Sequence, residues 1–244
     1  MNENLIQCID LTKDYGTGPV LEHLDLNLAS GRIIGLLGPN GTGKTTLIKI
    51  LAGLLQPPAG QVLVDGHVPG PESKAVVSYL PDRMYFADWM KAKDLLDLFQ
   101  DFYRDFDREK AEQMCATLGI RPQDRIKTMS KGTKEKMQLV LVMSRKAKLY
   151  LLDEPIAGVD PAARDFIMNT ILTNYSTDGT VLISTHLIGD IERVLDEVIF
   201  IRDTKVVLHD TVDNIRENQG KSVDALFREM FRMAPLEGGY DNAR

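Results

Sequence analysis

Gly38-Pro39-Asn40-Gly41-Thr42-Gly43-Lys44-Thr45 fits the pattern G-x-x-x-x-G-K-[ST], with the apolar run Arg32–Leu37 before it and the apolar stretch Thr45–Leu55 after it. Strand, glycine-rich loop and helix in that order are the context in which such a pattern cradles phosphate. Gly41 and Gly43 let the backbone close so that amide N–H groups point inward. The helix starting near Lys44 adds the positive end of its dipole. In such a loop the Lys44 ammonium reaches the β- and γ-phosphates of a nucleotide, and the Thr45 hydroxyl ligates Mg²⁺. The loop alone does not decide which class of phosphate-loop protein this is.

Outward from the loop, the pattern is one of alternating strands and helices. Leu5–Leu11 and Val20–Leu28 read as strands; in the second, Leu24, Leu26 and Leu28 alternate with Asp25 and Asn27. Gln56-Pro57-Pro58-Ala59-Gly60 ends the helix after the loop, and Gln61–Val64 reads as another strand. Between about Lys91 and Lys146 the texture turns helical, with Leu95, Leu96, Phe99, Phe102 and Phe106 at helical spacing, followed by Ala111–Leu118 and Lys134–Met143. Strands resume at Leu149–Asp153, Thr180–Ser184, Val198–Ile201 and Val206–Leu208. This alternation predicts an α/β fold with a mostly parallel sheet covered on both faces.

The strand Leu149–Asp153 ends in two acids, Asp153 and Glu154. A central parallel strand delivers its C-terminal residues to the sheet edge where nucleotides bind. Asp153 is therefore expected to hold Mg²⁺, directly or through water, and Glu154 to act as general base on the attacking water. His186 also follows the C-terminal end of a strand, where it can donate to the γ-phosphate and position that water. His23, His67 and His209 lack such a setting.

The 244 residues suffice for one substantial core with a subdomain attached, and 43% hydrophobic with 26% charged residues is an ordinary globular balance. Cys8 and Cys115 have no metal-ligand spacing and read as buried thiols in a reducing compartment. The opening Met1-Asn2-Glu3-Asn4 has no signal-peptide pattern, and apolar runs such as Leu139–Met143 are too short to span a bilayer. Any service to a membrane is expected to run through a partner. The net charge of −6 argues against direct binding of nucleic acid.

Further residues resemble the ATP-binding cassette (ABC) family, in the family's order and over nearly the whole chain. Met129-Ser130-Lys131-Gly132-Thr133 is similar to its signature motif, and Ala157-Gly158-Val159-Asp160 to its D-loop. The resemblance implies a phosphate-loop NTPase with an N-terminal antiparallel β subdomain and an inserted α-helical subdomain at about 91–146. It implies an ATPase domain over 1–234 and a flexible tail over 235–244. It assigns the nucleotide to Tyr15 (stacking on adenine), to Gly38 through Thr46, and to Ser130, Gly132 and Asp160 acting across a dimer seam. Ser130 also reads as a helix N-cap, and one geometry serves both roles. Lys44, Glu154 and His186 carry hydrolysis, with ATP and Mg²⁺ as the implied substrate and cofactor.

Two departures stand out. Lys131 occupies the usual first glycine of the signature. In Val77-Ser78-Tyr79-Leu80-Pro81-Asp82, similar to the family's Q-loop, Asp82 stands where glutamine is common. Asp82 either faces Mg²⁺ or caps the next turn of chain. Tyr85, Phe86 and Trp89, just beyond, either pack in the core or line the groove that in this family receives a short helix of the membrane subunit. Ser222–Met233, with helical spacing, covers the core or mediates pairing. The resemblance implies a homodimer or heterodimer on the inner face of the cell membrane, held there by a separate permease. Signature, acid at 82 and short C-terminal extension look like ATPases of ABC-2-type exporters, with importer ATPases as the alternative. Relatives acting on nucleic acid or the ribosome carry coiled-coil inserts, extra domains or two cassettes, and none is visible here.

Overall fold

A computed structural model of the chain describes residues 4–57 and 59–231. The segment 235–244 lies outside the described residues. In chain order the elements are β1 (Asn4–Asp14), β2 (Pro19–Ala29), β3 (Ile33–Leu37), α1 (Lys44–Leu51), β4 (Ala59–Val64), α2 (Pro71–Val76) and β5 (Val77–Leu80). Then come α3 (Ala92–Phe102), α4 (Arg108–Thr117), α5 (Lys131–Met143), β6 (Leu149–Asp153), α6 (Pro161–Asn174) and β7 (Thr180–Thr185). The series ends with α7 (Ile188–Ile191), β8 (Glu197–Arg202), β9 (Lys205–Thr211), α8 (Val212–Gln219) and α9 (Val223–Met230).

Strands β5-β6-β7-β3-β8-β9 form a six-stranded sheet, parallel except for the β8–β9 hairpin at one edge. A three-stranded antiparallel sheet, β2-β1-β4, lies apart from it. The side-chain period of a strand sorts its residues onto two faces. On one face Ile33, Leu37, Tyr150, Leu152 and Phe200 pack against α5, α6 and α9. On the other, Ile34, Leu36, Leu149, Leu151 and Ile199 pack with α1 and the small sheet. Both faces are dry, which is why these strands read as continuous apolar runs.

Helices α3 and α4 close a third core with one face of α5, around Leu95, Phe99, Ala111, Cys115, Met137 and Leu141. The other face of α5, through Leu139, Val142 and Met143, belongs to the main core. One helix thus shares its two sides between two hydrophobic units. Cys8 and Cys115 are buried free thiols, and burial pushes the Cys8 thiol up to about 12. Val223 and Leu226 of α9 are buried, and Phe227 and Phe231 stack at 4.1 Å beside Phe200, so in the single chain this segment covers the core.

Several expected boundaries move. The helix after the loop ends at Leu51, not Leu55, because the Leu54 and Leu55 amides both turn back onto the Lys49 carbonyl. Strand β4 starts at Ala59, not Gln61. Helix α4 starts at Arg108, where Asp107 accepts from the Lys110 amide, and α5 starts at Lys131 behind the Ser130 cap. Polar capping residues at these starts hide the helix from apolar periodicity.

Candidate functional site

The C-terminal ends of β3, β6 and β7 lie side by side, since Leu37 pairs with Thr185 and Asp153 with Ser184. Gly43 opens α1 at φ +98°, and a side-chain carbon there would meet the Val20 carbonyl oxygen at 2.6 Å. Gly43→Ala is therefore expected to cost on the order of 1–3 kcal/mol. It should lower the melting temperature by about 2–4 °C per kcal/mol. An unchanged melting curve would show that the loop tolerates a side chain there.

Lys44 is 5% exposed and its Nζ donates to the carbonyls of Gly38 (2.7 Å) and Pro39 (3.0 Å), while standing 3.7 Å from Glu154 Oε1. Burial pulls the ammonium below the usual lysine range, opposed by the charges of Glu154 and Asp153. Thr42 Oγ1 donates to the Pro39 carbonyl, bracing the loop.

Asp153 is 1% exposed, and its Oδ1 accepts from Thr45 Oγ1 (3.0 Å) and Ser184 Oγ (2.6 Å). Burial raises its carboxyl pKa; the two hydroxyls oppose this and the Asp82 charge adds to it. Asp153 Oδ2 is one of two buried side-chain polar atoms without a hydrogen-bond partner among the described residues; the other is Tyr79 Oη. A buried carboxylate oxygen with no donor, next to a threonine hydroxyl, is the donor set that a hard divalent cation takes up. Among the described residues no cluster of three or more His, Cys, Asp or Glu could hold a metal. Mg²⁺ is commonly held by one or two protein oxygens with substrate phosphates supplying the rest, so these residues fit it.

Glu154 follows in the left-handed region, φ +51°, uncommon for a side-chain-bearing residue and found where a site over-determines the backbone. Its amide donates to Ser184, both to the carbonyl (3.1 Å) and to Oγ (3.0 Å). Its carboxylate lies 3.1–3.2 Å from His186 Nδ1. With Glu154 ionised, Nδ1–H donates and fixes the imidazole orientation. Ser184 thus positions both acids, a role sequence patterns did not suggest, because the β6–β7 register that sets it opposite Asp153 exists only in the fold.

A cleft of about 500 Å³ joins Asn40, Glu154 and His186 to Asp82 and to Lys131 and Lys134. Asp82 is exposed and 3.8 Å from Arg83 Nε. The structure therefore gathers Lys44, Thr45, Asp153, Glu154 and His186 in one place and sets Asp82 at its border.

Tyr15, Ser130, Gly132 and Asp160 do not line that cleft, although Lys131, between Ser130 and Gly132, and Val159, next to Asp160, do. Tyr15 is 53% exposed with Lys13 Nζ 5.2 Å from its ring centre. Ser130 Oγ accepts from the Thr133 amide at 3.2 Å, and a side chain at Gly132 would meet open space. Asp160 caps α6 by accepting from the Ala163 amide.

A second groove of about 590 Å³ lies between β5 and α3, lined by Leu54, Val77, Tyr79, Tyr85, Phe99, Tyr103 and Val142 together with several charged residues. Of the three aromatics singled out earlier, Tyr85 lines it. Phe86 packs on Phe99 in the helical core, and Trp89, 71% exposed, lines neither.

The family model for ABC transporters matches residues 21–157. The SkfA peptide export ATP-binding protein SkfE of Bacillus subtilis (strain 168) is 31% identical over 220 residues, 83% of this chain and 87% of that protein. The daunorubicin resistance ATP-binding protein DrrA3 of Streptomyces coeruleorubidus is 28% identical over 226 residues, 89% of this chain and 72% of its own. A solved ATP binding subunit of an ABC transporter superposes with a TM-score of 0.81 at 27% identity, covering 93% of this chain and 99% of that one.

Proposed function

Since the chain belongs to the ABC transporter family as an ATP-binding, ATP-hydrolysing subunit, we propose that it drives export through a separate membrane permease by closing and opening as a dimer. The observation that carries this is Glu154, 3.7 Å from the phosphate-loop lysine and 3.1 Å from His186, on a cleft that reaches Lys131 at the start of α5. Each triphosphate would lie between Lys44 and Thr45 of one copy and the start of α5 of the other. Neither half surrounds the γ-phosphate alone, so ATP favours the closed pair and its hydrolysis releases it.

Lys44 binds the β- and γ-phosphates, and the amides from Gly38 to Thr46 cradle them. Tyr15 stacks on the base, and Asp160 crosses the seam. Thr45 and Asp153, with Asp82 nearby, would hold Mg²⁺, which supplies neutralisation of phosphate charge. Glu154 takes the proton of the attacking water, and His186 Nδ1–H holds that carboxylate in place. The two acids diverge in role because their settings do: Asp153 is enclosed by hydroxyl donors, whereas Glu154 opens onto the cleft.

The groove by Tyr85 is the place for a short helix of the permease, which would hold the chain on the inner face of the membrane. Among the described residues no helix is long and apolar enough to cross it. Export rests on the likeness to SkfE and DrrA3. Reconstituted with its permease, the pair should load substrate into inside-out vesicles when ATP is added outside. Loading of right-side-out vesicles in its place would assign import.

Asp82 bears on Asp153 through its charge. Asp82→Gln is expected to relax the dependence of hydrolysis on Mg²⁺ concentration and to alter its pH profile. If both titrations superpose on those of the parent, Asp82 has no part in the metal site.

A further inference from the structure

Tyr79 Oη and Asp153 Oδ2 are the two buried side-chain polar atoms that make no hydrogen bond among the described residues, and the fold brings them to one place. Tyr79 stands opposite Leu151 in the parallel register of β5 and β6. Side chains alternate along a strand, so Tyr79, Leu151 and Asp153 all project from the same face of the sheet. It is the face that α1 covers: Tyr79 packs against the cluster of Leu149, Leu151 and Ile48, and Thr45 of α1 donates to Asp153 Oδ1 at 3.0 Å. Lys49, one turn further along that helix, acts on the same carboxyl through its charge, against the larger opposing effect of burial. Thr45 and Ser184 thus take up Oδ1, and Oδ2 is left with no donor among the described residues.

Burial holds the Tyr79 phenol above its usual range, and the Asp153 charge adds more to this than the Asp82 charge does. A phenol in a core normally bonds its hydroxyl, as Tyr150 does to the Arg145 carbonyl at 2.6 Å. An unbonded one costs stability that phenylalanine in its place would not. The ring alone serves the packing on β5, so the oxygen needs another reason. Mg²⁺ supplies one. It keeps several waters when bound to protein, and the groups that receive hydrogen bonds behind a metal's direct ligands orient those ligands. A phenol oxygen can accept such a bond.

We propose that Tyr79 is a positioning residue for the metal: its oxygen accepts from a water of the Mg²⁺ shell beside Asp153 Oδ2 and so fixes where the ion sits against that carboxylate. This rests on the assignment of Mg²⁺ to Thr45 and Asp153 above. It gives β5, the strand that leads to Asp82, a link to the metal that does not pass through Asp82 itself.

The test compares the affinity of the full chain for a fluorescent ATP analogue with Mg²⁺ and with EDTA, in a Glu154→Gln background to suppress turnover. Tyr79→Phe removes the oxygen and keeps the ring. Its affinity in EDTA should equal that of the parent, while the gain on adding Mg²⁺ falls about tenfold. Without nucleotide its melting temperature should match or exceed the parent's, because no bond within the protein is lost. Three results overturn the proposal. They are a gain from Mg²⁺ equal to the parent's, a loss of affinity that is the same with and without the metal, and a melting temperature lower by more than about 2 °C, which would show the hydroxyl bonded inside the fold. Asp153→Asn separates the proposal from the assignment beneath it. If that variant keeps the parent's full gain from Mg²⁺, the metal is not held at Asp153 and the role of Tyr79 falls with it. If it loses the gain while Tyr79→Phe keeps it, the metal site stands and only the phenol is removed from it.

Discussion

Glu154→Gln should keep ATP binding and lose about 10²- to 10⁴-fold of hydrolysis, the contribution usual for a positioned general base. The substitution is nearly isosteric. The amide of residue 154 remains held by the Ser184 carbonyl and hydroxyl, so the unusual backbone at φ +51° has no reason to relax. The glutamine oxygen can still accept from His186 Nδ1, which preserves the imidazole orientation. Only the capacity to take a proton is lost. A chain that binds ATP but cannot cleave it should accumulate as a closed pair, visible as a doubling of mass by light scattering with ATP and Mg²⁺. Turnover within tenfold of the parent would take Glu154 out of the role, and a variant that stays monomeric would remove the shared-site mechanism.

Arg145→Ala should be the most damaging single substitution outside the nucleotide site. The guanidinium is 3% exposed and forms a two-pronged pair with Asp105, Nε and Nη2 each at 3.0 Å. It also donates to the carbonyls of Ala75 (2.9 Å) and Val77, and its plane lies 3.8 Å over the Tyr103 ring. These partners come from the loop before α4, from α2, from β5 and from the end of α3, so one side chain pins the helical insert to the edge of the main sheet. Removing one member of such a buried pair leaves the other uncompensated and costs about 3–5 kcal/mol. For a chain of this size that corresponds to roughly 6–20 °C in melting temperature. Arg145→Lys should recover only part of the loss, because an ammonium cannot reproduce the fork. A shift under about 2 °C for the alanine variant would mean that the insert is held by apolar packing alone.

The strands, the phosphate loop and the acids at the end of β6 were readable because each is a local pattern. Continuous apolar runs bounded by glycine or acid mark strands dry on both faces, and the loop motif is contiguous. Helix α6 (Pro161–Asn174) was not anticipated, because its apolar residues are spread around the helix and no single stripe announces it. Helix α2 is barely more than one turn, held by the Ser73–Gly70 exchange of hydrogen bonds, too short for any period. Trp89 shows the limit from the other side: an aromatic next to two others in sequence suggested one surface, yet Tyr85 lines the groove, Phe86 enters the helical core and Trp89 does neither.

By itself the sequence determined the class of fold, the phosphate-binding loop and the pair of acids closing β6, since each is written in residues adjacent in the chain. The tertiary structure alone decided that Ser184 holds Asp153 across 31 positions and that Arg145 reaches Val77 across 68. Such meetings are selected by burial of the whole core against the entropy of closing long loops, a balance that leaves no mark on any short stretch of residues.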